Sequence, residues 1–322
     1  MIRYIIKRIL QLIPVVLGVA ILIFTLMYIS PGDPAQLLLA GASESEINEM
    51  RDELGLNDSY LVQLGRFMRD TFLRGDLGTS FYSGGKVFSE IMSRMPHTLI
   101  IAFCCMLMQI LISLPLGIAA ATHRGRWQDY LCMFLAILGV ALPEFMVGML
   151  LLLAFSMHLH WLPSYGIINW TGYILPIIAA GLPTLGSVAR LTRSQMLEVI
   201  RSDYLLTARM KGVSERSILY KHALPNALIP VITSIGQSFG RALGGTVVVE
   251  TLFSVPGIGY YMITAINSRD YPAVRGAVLV FAVMFALVML LVDLAYAYIN
   301  PRIKAKYQGE HKKKIKVVKA NA

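Results

Sequence analysis

Long uninterrupted apolar runs recur along this sequence, and they restrict its possible folds more than any other feature. A run of roughly 20 apolar residues spans the hydrocarbon core of a bilayer as an α-helix, because each helical residue rises about 1.5 Å. The first run, residues 9–29, is too long for the apolar part of a cleavable signal peptide, and no small-residue cleavage site follows it. We therefore expect a retained first transmembrane helix in an integral membrane protein.

The apolar runs predict an all-α fold, a polytopic membrane protein with six transmembrane helices. Backbone groups in lipid must find their hydrogen bonds within the protein, and a helix satisfies them within one segment. The predicted spans are residues 9–29, 98–121, 130–157, 173–189, 226–250 and 276–299. Pro143 interrupts the third of them.

The spans divide the chain into four regions. Residues 1–29 form the N-terminal cytoplasmic end and the first span, and residues 30–97 form a small extracytoplasmic helical insertion. Residues 98–299 form the core of five further spans, which includes a loop at 190–225. Residues 300–322 form a basic cytoplasmic tail.

The insertion at 30–97 contains two helix signals. Ser43 and Glu46 have the spacing of a capping box at the start of a helix that ends near Gly55. A second, amphipathic helix is predicted for residues 60–72. Its apolar face would consist of Leu61, Leu64, Met68 and Phe72.

The distribution of positive charge predicts the orientation in the membrane. The N-terminal end, the link between the second and third spans, the loop between the fourth and fifth, and the tail together carry 20 of the 29 Lys and Arg residues. Connections rich in Lys and Arg face the cytoplasm. Both termini and the loop after the fourth span are therefore expected on the cytoplasmic side.

Composition also excludes some functions. The net charge is +10, but the charges lie at the ends of the spans rather than along one face, as a nucleic-acid-binding surface would require. Cys104, Cys105 and Cys132 all fall in apolar runs, where thiols behave as small hydrophobic groups, so neither a disulfide nor a zinc framework is predicted. No cofactor or metal site is expected.

The most distinctive stretch is a basic island between the fourth and fifth apolar runs. It predicts a helix from Tyr204 to Lys211 that Asp203 or Ser202 caps, a left-handed Gly212, and a second short helix that Ser214 caps. Two helices this short cannot bury a core of their own. Their apolar residues are therefore expected to rest on something else, in part a second protein; they are Tyr204, Leu205, Ala208, Ile218 and Leu219.

This loop resembles the cytoplasmic EAA loop in permease subunits of bacterial ABC importers. Ala208, Gly212, Leu224 and Pro225 match the general spacing of that loop, whereas Leu206 and Thr207 replace its Glu and Ala, and His222 replaces an Ile. The segment DYLLTARMKGVSE, residues 203–215, is similar to the branch that imports peptides, glutathione or nickel. Further matching stretches, in order, are PGDP at 31–34, LGLN at 54–57, GDLGTS at 75–80, RLTRS at 190–194, VVVETLFSVPGIG at 247–259, RDYP at 269–272 and VDLAYAYINPRI at 292–303.

The resemblance implies a fold like that of type I ABC importer permeases and a function as half of a translocation pathway in the bacterial inner membrane. Its implied partners are a second homologous permease, two ATP-binding subunits and an extracytoplasmic solute-binding protein that docks on residues 30–97 and 251–275. Residues implied to couple this chain to the ATPase are Asp203, Ala208, Arg209, Lys211, Gly212, Glu215, Leu224 and Pro225. Arg209, Lys211, Glu215 and Arg216 would form ion pairs at the rim of that interface.

The chain is not expected to be an enzyme. It has no G-x-x-x-x-G-K-[ST] segment with which to bind and hydrolyse ATP, so the energy for transport would come from the partner subunits.

Several residues within the spans are candidates for the translocation pathway. Charges in lipid are costly and often functional, which points to Arg241 and Glu144, although a structural salt bridge or a snorkelling side chain is the alternative for each. Gly236, Gly240 and Gly244 lie on one helix face and permit close helix packing, either within the subunit or along a shared pore.

The sequence leaves other functions open. A secondary transporter or channel would favour inverted repeats and an ion relay, neither of which is evident, and an intramembrane enzyme would need a catalytic motif that is absent. His158 and His160 form an incomplete metal pair. The cargo is expected to be a dipeptide, longer peptide or glutathione, with nickel or a metallophore as the alternative.

Overall fold

The computed structural model describes residues 2–39 and 41–299, and within them the fold is helical without a β-strand. The predicted basic tail, 300–322, lies outside the described residues. The α-helices are α1 Ile2–Ile29, α2 Pro34–Leu38, α3 Glu44–Glu53, α4 Tyr60–Leu73, α5 Val87–Met108, α6 Leu114–Thr122, α7 Trp127–Ala141, α8 Glu144–Leu151, α9 Ile174–Ile200, α10 Asp203–Met210, α11 Glu215–Ser217, α12 Leu224–Leu252, α13 Ile258–Asn267 and α14 Tyr271–Ile299. Shorter helical turns are the π-helical Gln109–Ser113, Leu152–His158 and Ile218–Ala223 and the 3-10 helix Trp170–Tyr173.

Four of the described helical segments are long and apolar enough to cross a membrane, and a bent pair makes a fifth. The four are Arg8–Ile29, Val87–Thr122, Trp170–Ile200 and Tyr271–Leu294. The remaining predicted span corresponds to α12, which is long enough at 29 residues. Its mean hydropathy is too low for it to count among these segments, because Gly, Ser, Thr, Gln and Arg interrupt its apolar residues. An all-α membrane protein is thus confirmed, whereas the count of six spans stays a prediction.

The helix boundaries correct the predicted spans. The second span was predicted from residue 98 but begins at Val87, so the helix takes up the last ten residues or so assigned to the insertion. The fourth was predicted to end at residue 189 but continues as α9 to Ile200. In both cases polar residues extend the helix beyond the apolar run, because the ends of a helix project past the hydrocarbon core. The sixth begins at Tyr271 rather than 276.

The predicted third span, 130–157, is not one helix. It consists of α7 and a segment, Glu144–His158, that are bent by 100° at a short break. Pro143 lies in the break with an extended backbone, because a proline cannot donate the hydrogen bond that would continue the preceding helix. The prediction identified the proline but not the size of the bend.

Helix α9 is the centre of one packing group, which includes α5, α6, α7, α8 and α12. Its neighbours approach its backbone closely at glycines. A Cβ on Gly186 of α9 would lie 2.5 Å from Ala136 Cα of α7, and a Cβ on Gly117 of α6 would lie 2.6 Å from the Ala189 carbonyl oxygen of α9. Between helices in lipid, small residues allow the close van der Waals packing that holds a bundle together.

A second packing group joins α1, α5, α12, α13 and α14. The insertion rests on this group through aromatic contacts. Phe24 of α1 packs against Tyr60 and Phe67 of α4, with ring centroids 5.7 Å and 5.5 Å apart. Leu61 and Phe72 of the predicted apolar face are exposed, so α4 contacts Phe24 through Tyr60 and Phe67 instead.

Two features of the insertion fix its local structure. The predicted capping box is confirmed: the Ser43 hydroxyl accepts from the Glu46 backbone N–H, and the Glu46 carboxylate accepts from the Ser43 N–H. Asp270, just before α14, is buried and accepts hydrogen bonds from the Ser80 hydroxyl and the Phe81 backbone N–H. The end of the insertion is thereby tied to the start of the last helix.

Replacing Gly186 with alanine should destabilise the protein, whereas the same change at Gly18 should not. The added Cβ at 186 meets the α7 backbone, which cannot move aside like a side chain, and overpacking of this kind costs about 1–3 kcal/mol. Gly18, in α1, has nothing within 4 Å of its Cβ position, so alanine there should be neutral or slightly stabilising. Thermal unfolding midpoints of both variants in detergent check this. Equal midpoints would contradict the close approach of α7 and α9.

Candidate functional site

The loop between α9 and α12 folds as a compact hairpin of short helices, here called the hook (residues 201–223). Helix α10 ends at Met210, and Gly212, two residues later, has a φ of +80°, the left-handed conformation that the sequence predicted. The turn closes with hydrogen bonds from the Gly212 N–H to the Arg209 oxygen and from the Val213 N–H to the Ala208 oxygen, 2.9 Å and 3.2 Å long. Glycine adopts this conformation without steric cost. The chain thus reverses direction sharply and enters α11.

The second half of the hook differs from the prediction. Instead of a separate helix, α11 continues through the π-helical turn Ile218–Ala223 directly into α12. Pro225 is the second residue of α12, where it needs no hydrogen-bond partner for a backbone N–H. The hook is therefore the bent beginning of α12 rather than a free loop, so a movement of the hook moves the end of that helix.

The hook has an apolar interior of its own. Leu205, Ile218 and Ala223 are fully buried, and the partly buried Ala208 and Val213 pack against them. Val199 and Ile200 at the end of α9 complete this cluster. The prediction that Leu205 and Ile218 rest partly on a second protein is therefore wrong, because the hook and the end of α9 bury them completely. For the partly buried Ala208 it stays a prediction.

The outer surface of the hook carries a different set of apolar side chains. Met210 is 83% exposed and Leu206 is 56% exposed, and both belong to α10. Tyr204 and Tyr220 are also about half exposed. Large apolar side chains grouped on a short projecting element commonly mark an interaction surface.

Charged side chains lie around the Gly212 turn. Arg209 donates to the Glu215 carboxylate across the turn, with Nε 2.7 Å from Oε1. This hydrogen bond lowers the pKa of the Glu215 carboxyl below its ordinary value. Four residues of the hook were predicted to form ion pairs with a partner subunit: Arg209, Lys211, Glu215 and Arg216. Of these, Arg209 and Glu215 already pair with each other. Lys211 and Arg216 remain exposed.

The hook is attached to the membrane helices at its base. Leu219 and Leu224 pack against Ala121 of α6, Met196 of α9 and Ala227 of α12. Further along α9, the Arg193 guanidinium donates two hydrogen bonds to the buried Asp129 at the start of α7. The Gly125 backbone N–H donates to the same carboxylate at 3.0 Å. The ends of α6, α7, α9 and α12 thus meet beneath the hook.

The residues proposed for a translocation pathway lie apart from the hook. Arg241 is exposed on α12 and donates to the Ser238 hydroxyl at 2.9 Å. Gly236 and Gly240 face Val292 and Met289 of α14, so they serve packing within the subunit.

Two other pathway candidates have open or partly open surroundings. Gly244 has nothing within 4 Å of its Cβ position. Glu144 is partly buried in the first turn of α8, immediately after the 100° bend. His158 and His160, at the other end of that segment, are both exposed, and the described part of the chain contains no group of three or more possible metal ligands.

Glu250, near the end of α12, was not among the site residues that the sequence predicted. Glu250 is fully buried and has no cationic partner among the described residues. Its carboxylate accepts from the Thr98 hydroxyl at 2.7 Å and from the Tyr260 backbone N–H at 3.1 Å. Gly257 lies against the carboxylate at a position where a Cβ would not fit. The glycine-rich turn that follows α12 was the sequence signal for a buried carboxylate, because such a turn brings backbone N–H groups close to the end of the helix.

Long apolar helices and a compact hook built onto the start of α12 define a polytopic membrane transport component. Residues 113–305 match the family described as binding-protein-dependent transport system inner membrane component, and residues 1–102 match the N-terminal region of such components. The chain belongs to this family, and it is a permease. A self-sufficient secondary transporter is therefore not its class.

Similar proteins cover nearly the whole chain. It is 43% identical over 307 residues to the glutathione transport system permease protein GsiC of Salmonella paratyphi A, covering 95% of this chain and 100% of that protein. It is 41% identical over 333 residues to the dipeptide transport system permease protein DppB of Alkalihalophilus pseudofirmus, covering 94% and 100%. Among solved structures, the crystal structure of an amino acid ABC transporter with histidines superposes on this chain with a TM-score of 0.54 at 14% sequence identity. The match covers 66% of this chain and 94% of the transporter chain, so the two share a fold.

Replacing Leu205 with alanine should loosen the hook, whereas replacing its neighbour Leu206 should not. Leu205 is fully buried against Ile218 and the end of α9, and removing such a side chain costs about 2–5 kcal/mol. Leu206 is half exposed, so its truncation leaves the interior intact. Hydrogen exchange of the backbone amides of α10 measures the difference. Faster exchange in both variants, or in neither, would contradict the assigned interior.

Proposed function

We propose that this permease forms half of the translocation pathway of an ATP-driven importer for peptide-like solutes and that the hook couples it to an ATP-binding subunit. The named relatives carry glutathione and dipeptides, which supports a dipeptide, oligopeptide or glutathione as the cargo. The chain lies in the bacterial inner membrane. The count of positive charges supports a cytoplasmic position for the hook and both termini.

The observation that carries this proposal is the division of the hook into two faces. Its inner face is filled by its own side chains and by α9, so it holds its shape without a partner. Its outer face presents Met210 and Leu206, and the hook also exposes Lys211 and Arg216. An apolar centre with a charged rim is the usual arrangement of a protein interface. The hook can therefore dock as a preformed unit and pass movement to α12.

The complete importer needs further subunits. We propose a second homologous permease, two ATP-binding subunits that supply ATP hydrolysis, and an extracytoplasmic solute-binding protein. The solute-binding protein would dock on the insertion and on the segment 251–275, which Asp270 ties together. Arg241, Glu144 and Gly244 would face the pathway, Arg241 because it is exposed and could attract a peptide carboxylate.

Replacing Met210 with aspartate should weaken binding of the ATP-binding subunit by roughly tenfold or more, because a charge would replace an apolar anchor at the centre of the interface. The permease itself should stay folded, since Met210 is 83% exposed. Leu61→Asp is the matched control, because Leu61 is exposed in the insertion. Affinity purification of each tagged variant with its co-expressed partners measures binding. Full recovery of the ATP-binding subunit by the Met210 variant would refute the docking surface.

Replacing Gly212 with valine should uncouple ATP hydrolysis from transport. Nothing lies within 4 Å of the Gly212 Cβ position, so the strain comes from the left-handed backbone alone, about 1–2 kcal/mol. The turn would relax and change the angle between α10 and α11. Gly125→Val places the same strain, at φ +75°, outside the hook.

Both glycine variants are compared in proteoliposomes that contain the whole importer. The ratio of solute transported to ATP hydrolysed should fall for Gly212→Val and stay near the wild-type ratio for Gly125→Val. A normal ratio in the Gly212 variant would show that the sharp turn is not needed for coupling.

A further inference from the structure

A cavity of about 530 Å³ lies between the insertion and the membrane helices. Phe24 of α1 and Phe67 of α4 form part of an aromatic wall, and Arg275, in the second turn of α14, lines the same cavity. Asp76 and Thr71 of the insertion also line it. Its size is within the range of small-molecule sites, and it is far along the chain from the hook.

Most charges around this cavity already have partners. The pairs are Arg51 with Asp33 at 2.5 Å, Arg66 with Asp58, and Arg69 and Arg74 with Asp70 at 3.0 Å and 3.2 Å. Among the described residues that line the cavity, this leaves one guanidinium, that of Arg275, and one carboxylate, that of Asp76, without an ion-pair partner. Among the described residues, the Asp76 carboxylate accepts a hydrogen bond from the Gly78 backbone N–H alone.

The surroundings of Arg275 leave its donors available. Its Nε–H donates to the Tyr271 carbonyl oxygen at 3.3 Å. The guanidinium carbon lies 5.6 Å from the centre of the Phe24 ring and 5.2 Å from that of Phe67. The two aromatic rings attract the positive charge of the guanidinium, but they are weak hydrogen-bond acceptors for its N–H groups. The remaining four N–H groups find no acceptor in the described part of the protein, and a carboxylate is the group that matches their geometry.

A second, independent observation points to a ligand. Thr71 of α4 lines the cavity, and its hydroxyl is buried and has no hydrogen-bond partner among the described residues. A buried hydroxyl without a partner costs free energy, and such groups are rare in folded proteins. A ligand oxygen in the cavity would satisfy it.

From these observations, we propose that the cavity binds a small zwitterion, a free amino acid or short peptide. Its carboxylate would pair with Arg275, an oxygen of the ligand would bond to the Thr71 hydroxyl, and its ammonium group would pair with Asp76. The site goes beyond the transport proposed above, because binding here requires neither ATP nor a partner subunit.

The position of the cavity favours a water-borne solute over a lipid. The side chains of α1 that line it, Phe24, Met27 and Tyr28, belong to the face that meets the insertion. Leu22 and Ile29 are exposed and do not line the cavity. The rest of the lining is rich in the paired charges of the insertion, which lie outside the apolar spans.

Three dipeptides distinguish the two charges of the ligand. Dialanine carries both, dialaninamide lacks the carboxylate, and N-acetyl-dialanine lacks the ammonium group. Titration of the full chain in lipid nanodiscs, followed by saturation-transfer NMR, gives an affinity for each. We expect dialanine to bind roughly tenfold more tightly than either derivative, since each lost charge removes a charge-assisted hydrogen bond.

Variants assign each preference to its residue. Arg275→Gln should remove the preference for dialanine over its amide, and Asp76→Asn should remove the preference for dialanine over its acetyl derivative. Thr71→Val keeps the side-chain shape and should weaken dialanine binding without lowering the unfolding temperature. Arg94→Gln is the matched control, because Arg94 also lies over an aromatic ring, that of Tyr261 at 4.6 Å, outside the cavity.

Each preference is a ratio of two affinities measured on the same variant, so it does not depend on the fraction of that variant that is folded. Equal wild-type affinities for the three dipeptides, or an unchanged preference for the free carboxylate in Arg275→Gln, would overturn the proposal. Loss of coupling in the hook variants would leave these affinities unchanged, so the two proposals fail separately.

Discussion

Close approach of helix backbones around α9 is the constraint on which the rest of this structure depends. In lipid, helices gain little from hiding apolar surface, so they are held by van der Waals contact and by hydrogen bonds. Gly186 and Gly117 bring α7 and α6 onto the backbone of α9. The ion pair between the buried Asp129 and Arg193 joins α7 to α9 near their ends. Since α9 leads directly into the hook, its position sets the position of the hook.

The hook combines internal rigidity with an unfilled outer surface. Leu205 and Ile218 give it a core that the end of α9 completes, and the left-handed Gly212 sets the angle between its arms. Its second arm is continuous with α12 through a π-helical turn. π-Helical turns inside longer helices commonly occur at functional sites. A docked partner that shifts the hook would therefore displace a helix of 29 residues rather than a flexible loop.

Much of this architecture could be predicted from the sequence, because apolar runs and turn residues act locally. The first span, the capping box at Ser43 and the left-handed Gly212 each depend on neighbouring residues alone. The bend at Pro143, the burial of Leu205 and the surroundings of Glu250 depend on which distant segments meet, and no local pattern encodes that. The cavity beside Arg275 is of the same kind, since its wall comes from both ends of the chain.

The burial of Glu250 also bears on how the chain enters the membrane during synthesis. One of its hydrogen-bond donors, Thr98, is made about 150 residues earlier, whereas another, the Tyr260 N–H, follows ten residues later. Both hydrogen bonds can therefore form only after the turn at Gly257 has been translated and α12 has met α5. The last step in setting α12 is thus a folding event between helices rather than the passage of a single segment into the bilayer.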